Sequence, residues 1–181
     1  MPPREKAVTT ESIMSDAKPL AEAISIHLAD EAATAALGRT LAHLARAGDV
    51  IALTGELGSG KTALARAFIN ALPRPDGRVM PEDVPSPTFT LVQTYARQPA
   101  TVWHFDLYRI GDPDEIDELG WDEALDEGIV LVEWPERLGR RLPRDHLDLL
   151  MTFPEDGEGR LAILQAAGDW AERLKGLQEL D

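Results

Sequence analysis

The chain has 181 residues, 44% hydrophobic and 28% charged, enough for one core that buries about 70% of the unfolded chain's surface. It has no cysteine, which excludes disulfides, zinc–thiolate sites and thiol nucleophiles. Eighteen Lys and Arg against 32 Asp and Glu leave a net charge of −14, the wrong sign for a surface that grips DNA or RNA unaided. No apolar run approaches the roughly 20 residues of a membrane span. Residues 1–20 lack the apolar stretch and cleavage site of a secretory signal, so a cytoplasmic protein is the expectation.

Residues 1–20 also lack periodicity and are expected to form a disordered tail ahead of one domain over 21–181. Residues 24–28 alternate, which predicts a short strand. Asp30 then suits an N-cap, Leu37, Leu41 and Leu44 mark one face of a helix, and Gly48 is its expected stop. Residues 50–53 are wholly apolar, as in a strand covered on both faces of a parallel sheet. A glycine-rich turn follows, and residues 62–72 read as a helix. Five prolines and a glycine make residues 73–87 a loop.

Residues 90–95 and 101–107 read as strands of a hairpin turning at 97–100. From Asp112 to Glu127 there are nine acidic residues and no Lys or Arg. This acidic helical stretch is either a solvated face or a docking surface for a basic partner. Residues 129–132 form a second wholly apolar strand, and the segment from Glu133 onward, with Trp134 and Pro135, reads as loop. Leu147, Leu149, Met151 and Phe153 alternate, residues 154–159 turn, and 161–166 pair back as another hairpin. Residues 169–180 are expected to be helical. The pattern is α/β, with a mixed central sheet of parallel core strands and antiparallel hairpins at its edges.

The chemistry lies at the turns. Gly55-Glu56-Leu57-Gly58-Ser59-Gly60-Lys61-Thr62 fits G-x-x-x-x-G-K-[ST], lies between an apolar strand and a helix, and is continued by Ala63. Such a loop turns its amides inward around phosphates at a helix N-terminus, with Lys61 reaching the β/γ-phosphates and the Thr62 hydroxyl facing magnesium. The expected fold is therefore the three-layer phosphate-loop NTPase fold around that mixed sheet, and the expected ligand is ATP or another nucleoside triphosphate with Mg2+. A magnesium-dependent site also needs a carboxylate at the end of a neighbouring strand, and both Asp106 and Glu133 qualify. In Ser86-Pro87-Thr88-Phe89, the Thr88 hydroxyl could meet magnesium or the γ-phosphate, making its loop nucleotide-sensitive. His104 reads as strand packing, and Arg109 and Arg137 as surface ion pairs.

These four segments, in this order, resemble the TsaE (YjeE) proteins, phosphate-loop ATPases needed for tRNA threonylcarbamoyladenosine formation. The family's runs of the type G-D-L-G-A-G-K-T, S-P-T-[FY]-T-L-V, H-F-D-L-Y-R and E-W-P are similar to residues 55–62, 86–92, 104–109 and 133–135 here. The resemblance implies that Thr62 and Glu133 are the magnesium ligands, that Asp106 is the essential acid near the γ-phosphate, and that Thr88 belongs to a switch-like loop. It also implies that Trp134 lies beside the nucleotide and Asp30, Glu31 and Thr34 near its base. Lys61, Asp106 and Thr88 are then the catalytic set. Glu56, Ser59 and Ala63 depart from the family's usual Asp, Ala and second Thr, and residues 72–85 form an insertion. The implied partners are the TsaD and TsaB proteins, with tRNA reached only through their complex.

Other functions compete. A small-molecule kinase needs an arginine-rich lid, for which residues 137–144 with Gly139 are the sole candidate. A GTPase switch is formally offered by Asp117-Glu118-Leu119-Gly120, but no Asn-Lys-x-Asp segment accompanies it. A nucleotide-dependent binding module that never hydrolyses is the remaining alternative.

Overall fold

The structure is a computed structural model that describes residues 23–155, 157–166 and 168–175. The expected tail over 1–20 and the expected helix beyond residue 175 lie outside the described residues. In chain order the elements are β1 (Ile24–Leu28), α1 (Glu31–Leu44), β2 (Val50–Thr54), α2 (Lys61–Ala71), β3 (Val92–Tyr95), β4 (Val102–Asp106), α3 (Trp121–Glu127), β5 (Ile129–Glu133), β6 (Leu147–Thr152), β7 (Arg160–Ala166) and α4 (Asp169–Leu174). Short 3-10 segments cover Pro113–Leu119 and Pro135–Arg141.

The two wholly apolar runs become β2 and β5, which pair in parallel at the centre of a seven-stranded sheet ordered β1-β7-β6-β2-β5-β4-β3. Parallel strands buried on both faces require such runs. β6 joins β2 and β4 joins β5, also in parallel, while β1, β7 and β3 add antiparallel edges. The mixed sheet is therefore the one the sequence predicts.

Alternate residues of the central strands feed two cores. Ile51, Leu53 and Leu131 pack with Leu41 and Leu64 beneath α1 and α2. Val50, Ala52, Val130 and Val132 pack on the other face with Phe105, Ile116 and Trp121. There the Phe105 and Trp121 rings meet edge to face at 5.2 Å.

Several boundaries differ from expectation. Asp30 caps α1 as predicted, accepting from the Ala33 amide at 2.8 Å, but the helix ends at Leu44 and not at Gly48. Arg173 holds that end, donating to the Leu44 carbonyl at 2.6 Å and to the Asp49 carboxylate. Gly48 lies beyond, at φ +86°, in the turn that leads into β2. β3 starts at Val92, because Leu91 adopts φ +65° and breaks the strand. Residues 135–141, read as loop, form two 3-10 turns kinked at Gly139. Within the acidic stretch Gly120, at φ +81°, separates a 3-10 segment from α3.

α1 and α2 approach closely at Gly38. A Cβ added there would lie 2.8 Å from the Leu64 carbonyl oxygen and 2.9 Å from the Ala67 Cβ. Overpacking costs about 1–3 kcal/mol, more than the gain of about 1 kcal/mol or less in helix propensity. Gly38→Ala should therefore lower the urea midpoint of unfolding. A raised midpoint would contradict this account of the helix pair.

Candidate functional site

The loop from Gly55 to Gly60 leaves the carboxyl end of β2 and opens α2. Gly55 has φ +144°, and a Cβ there would come within 2.2 Å of the Met151 carbonyl oxygen, so only glycine fits. Gly58 and Gly60 also adopt positive φ. Leu57 stands exposed at the tip, whereas Ser59 is buried and its hydroxyl has no partner among the described residues. The α2 N-terminus has no side-chain cap, so no side chain satisfies its first amides, and they favour an anion.

Lys61 is buried. Its Nζ donates to the Gly55 and Glu56 carbonyls at 2.7 and 2.9 Å and lies 4.4 Å from the centre of the Trp134 ring. Burial pushes the ammonium's pKa below its ordinary value, against the opposing pull of Glu133, Asp106 and Glu136. Trp134 is held in a left-handed backbone conformation (φ +61°, ψ +51°), which costs a non-glycine residue about 1–3 kcal/mol. Its amide donates to the Leu53 carbonyl at 3.3 Å, and its ring lies against Tyr108 at 5.0 Å.

Both strand-end carboxylates, each 3% exposed, flank the loop. Thr62 Oγ1 donates to Glu133 at 2.9 Å (Oε1) and 3.2 Å (Oε2), and His104 Nε2 lies 2.9 Å from Oε1. The Asp106 Oδ2 meets the hydroxyls of Ser86 and Thr88, each at 2.6 Å, and those hydroxyls lie 2.7 Å apart. The Tyr108 amide donates to Oδ1 at 3.1 Å. Two hydroxyl protons serve the three short contacts between a carboxylate and two hydroxyls, so one contact always lacks a proton. That frustration leaves the Thr88 hydroxyl easily redirected.

Lys61, Thr62, Thr88, Asp106, Glu133 and Trp134 therefore line one cavity of about 380 Å³. A second, of about 430 Å³, holds Asp30, Glu31, Thr34, Ser59 and Arg160 and shares Gly60 and Ala63 with the first. A larger groove, about 540 Å³, runs between α1 and α2 and contains neither strand-end carboxylate. Arg109 stacks over the exposed Phe89 ring at 4.2 Å. Arg141 is tied to Asp114 and Asp117, which engages the lid candidate. It also places Asp117 in a 3-10 turn and not at a strand end.

Thr62 and Glu133 offer hard oxygen donors of the kind magnesium takes. Among the described residues no three His, Asp or Glu side chains converge into a metal cage. An ion carried by a triphosphate needs only one or two carboxylates, so the donor set fits. Sequence reasoning gave Ser86 no role and took His104 as packing. The available signal for His104 was the period of two, which puts it on the same face of β4 as Asp106; Ser86 lies in a loop, where no such period applies.

Comparison with known proteins matches residues 28–161 to the family model described as threonylcarbamoyl adenosine biosynthesis protein TsaE. A Rickettsia felis protein named tRNA threonylcarbamoyladenosine biosynthesis protein TsaE is 39% identical over 60% of this chain and 61% of its own length. The chain thus spans about three fifths of that relative. Proteins of the same name from Nostoc and Bacillus subtilis are 35% and 33% identical, over 76% and 78% of this chain and 83% and 84% of theirs. The crystal structure of Bacillus subtilis YdiB superposes with a TM-score of 0.70 at 27% identity, covering 88% of this chain and 96% of that one.

Asp106 ties residues 86–91 to the sheet, and hydrogen bonds to a charged group contribute about 1.5–3 kcal/mol each. Asp106→Ala should therefore speed amide exchange in that segment about tenfold or more and leave β2 and β5 protected. Unchanged exchange at residues 88–91 would contradict the tether.

Proposed function

The chain belongs to the TsaE family of threonylcarbamoyl adenosine biosynthesis proteins, and on that premise we propose that it is a magnesium-dependent ATPase. Its hydrolysis would drive the TsaD–TsaB complex through its cycle of tRNA threonylcarbamoyladenosine formation. The observation that carries this reading is the hydrogen bond from Thr62, at the start of α2, to Glu133, at the end of β5. It joins the phosphate loop to a strand-end carboxylate, as phosphoryl transfer with a metal requires.

Each residue then has a task. The loop amides of residues 55–62 and the Lys61 ammonium receive the phosphates, Nζ exchanging the Gly55 and Glu56 carbonyls for phosphate oxygens. Thr62 and Glu133 would hold magnesium, which when bound would offset the negative charge of the phosphates. Asp106 accepts a proton from the attacking water or orients it. Thr88, released from Asp106, reports the γ-phosphate to the 86–91 segment. Trp134 lies against the Lys61 ammonium, and the cavity around Asp30, Glu31 and Thr34 takes the base and ribose. The net charge of −14 agrees with tRNA being reached through partners and not by direct contact.

Among the described residues no arginine lines the cavity that holds Lys61 and Asp106. An arginine supplied in trans is worth about 10³–10⁵ in rate. The isolated protein should therefore hydrolyse ATP slowly and accelerate markedly when TsaD and TsaB are added. Lys61→Ala should abolish both rates with the fold intact. Steady-state phosphate release measures all three, and full activity without partners, or wild-type turnover by Lys61→Ala, would refute the proposal.

A further inference from the structure

His104 is a fully buried polar side chain to which the mechanism above gives no task. It lies in β4 opposite Leu131 of β5, is 0% exposed, and points its Nε2 at Glu133 Oε1 from 2.9 Å. Its Nδ1 has no hydrogen-bond partner among the described residues. A ring that served packing alone would be replaced by leucine at no cost in polar contacts, and burying an imidazole in a sheet is unfavourable unless it makes a hydrogen bond. The contact is therefore what justifies the ring.

The donors on Glu133 are unequal. Thr62 carries one hydroxyl proton, spread over Oε1 and Oε2 at 2.9 and 3.2 Å. His104 addresses Oε1 alone. A carboxylate held at one oxygen by a rigid ring, itself fixed by the sheet, cannot rotate about its last bond. Oε2 is then left with a single contact, the longer one from Thr62. Outer partners of this kind orient metal-binding side chains, and their loss costs about 10–100-fold in metal affinity.

We infer that His104 is a positioning residue: its Nε2–H pins Oε1 of Glu133 so that Oε2 is presented to the metal beside Thr62. The inference rests on the reading of Glu133 as a magnesium ligand, and it assigns His104 no contact with nucleotide or metal. Only a ring with its proton on Nε2 can make this bond. That tautomer leaves Nδ1 as a bare acceptor, the less costly group to bury unpaired.

Three variants and two readouts test it. In the metal-free protein, nitrogen-15 spectra of the imidazole should show His104 protonated on Nε2, with a proton shift that changes in Glu133→Gln. A proton on Nδ1 alone would overturn the inference whatever the variants do. Binding of a fluorescent N-methylanthraniloyl ATP across a magnesium titration is the second readout. His104→Leu should raise the magnesium midpoint about 10–100-fold and leave nucleotide affinity in EDTA unchanged. His104→Gln, whose amide can donate from the same place, should recover most of that shift. If both folded variants keep the wild-type midpoint while Glu133→Gln shifts it, His104 has no positioning role. If Glu133→Gln also keeps the wild-type midpoint, the magnesium reading itself fails. If His104→Leu does not fold, His104→Ala, which also removes the donor, takes its place, and a wild-type midpoint there would overturn the inference.

Discussion

The parallel register of three strands underlies everything at this site. Leu53 of β2 pairs with Glu133 of β5, and Glu133 pairs with Asp106 of β4. The strands therefore end in step, and neighbours in a sheet lie about 4.8 Å apart. A loop leaving β2 beside Leu53 must pass within reach of both carboxylates, so no long side chain has to stretch to assemble the site. A slip of one residue between β5 and β4 would turn one carboxylate into the opposite core. That core is lined by Val130, Val132, Phe105 and Trp121, and the cost of burying an unpaired carboxylate among them is what opposes the slip.

That register also creates an electrostatic debt. Glu133 and Asp106 are nearly inaccessible and end adjacent strands, and buried charges are unfavourable unless paired or hydrogen-bonded. Each has donors: Thr62 and His104 for the first, Ser86, Thr88 and the Tyr108 amide for the second. Lys61 contributes charge but spends its hydrogen bonds on the loop carbonyls. A divalent cation and a triphosphate entering together would relieve the mutual repulsion of the carboxylates and draw the lysine off those carbonyls. The left-handed backbones of Trp134 and Leu91 sit next to this pocket. Strain is tolerated there because the surrounding sheet fixes the chain on both sides.

Much of this was legible in the sequence, and the reason is local. A strand buried on both faces must be apolar, and a loop with Gly55 against the Met151 carbonyl must be glycine, so β2, β5 and the phosphate loop are written in composition and spacing. The pairing of hairpins at the edges follows from alternation and turns. What was not legible depends on partners distant in sequence. The end of α1 at Leu44 is fixed by Arg173, 129 residues away. The late start of β3 follows from a left-handed Leu91 whose carbonyl accepts from the Asp106 amide. Ser86 and His104 look like an ordinary turn serine and a strand histidine until the fold sets them against Asp106 and Glu133.

The central claim is that the ends of β2, β5 and β4 form one metal–nucleotide site. A crystal structure of the chain with magnesium and a non-hydrolysable ATP analogue tests it most directly. The account predicts the phosphates inside the loop from Gly55 to Thr62, the metal between the Thr62 hydroxyl and Glu133, and Thr88 turned from Asp106 toward the γ-phosphate. An analogue lodged in the groove between α1 and α2, or a metal bound away from Thr62 and Glu133, would contradict it.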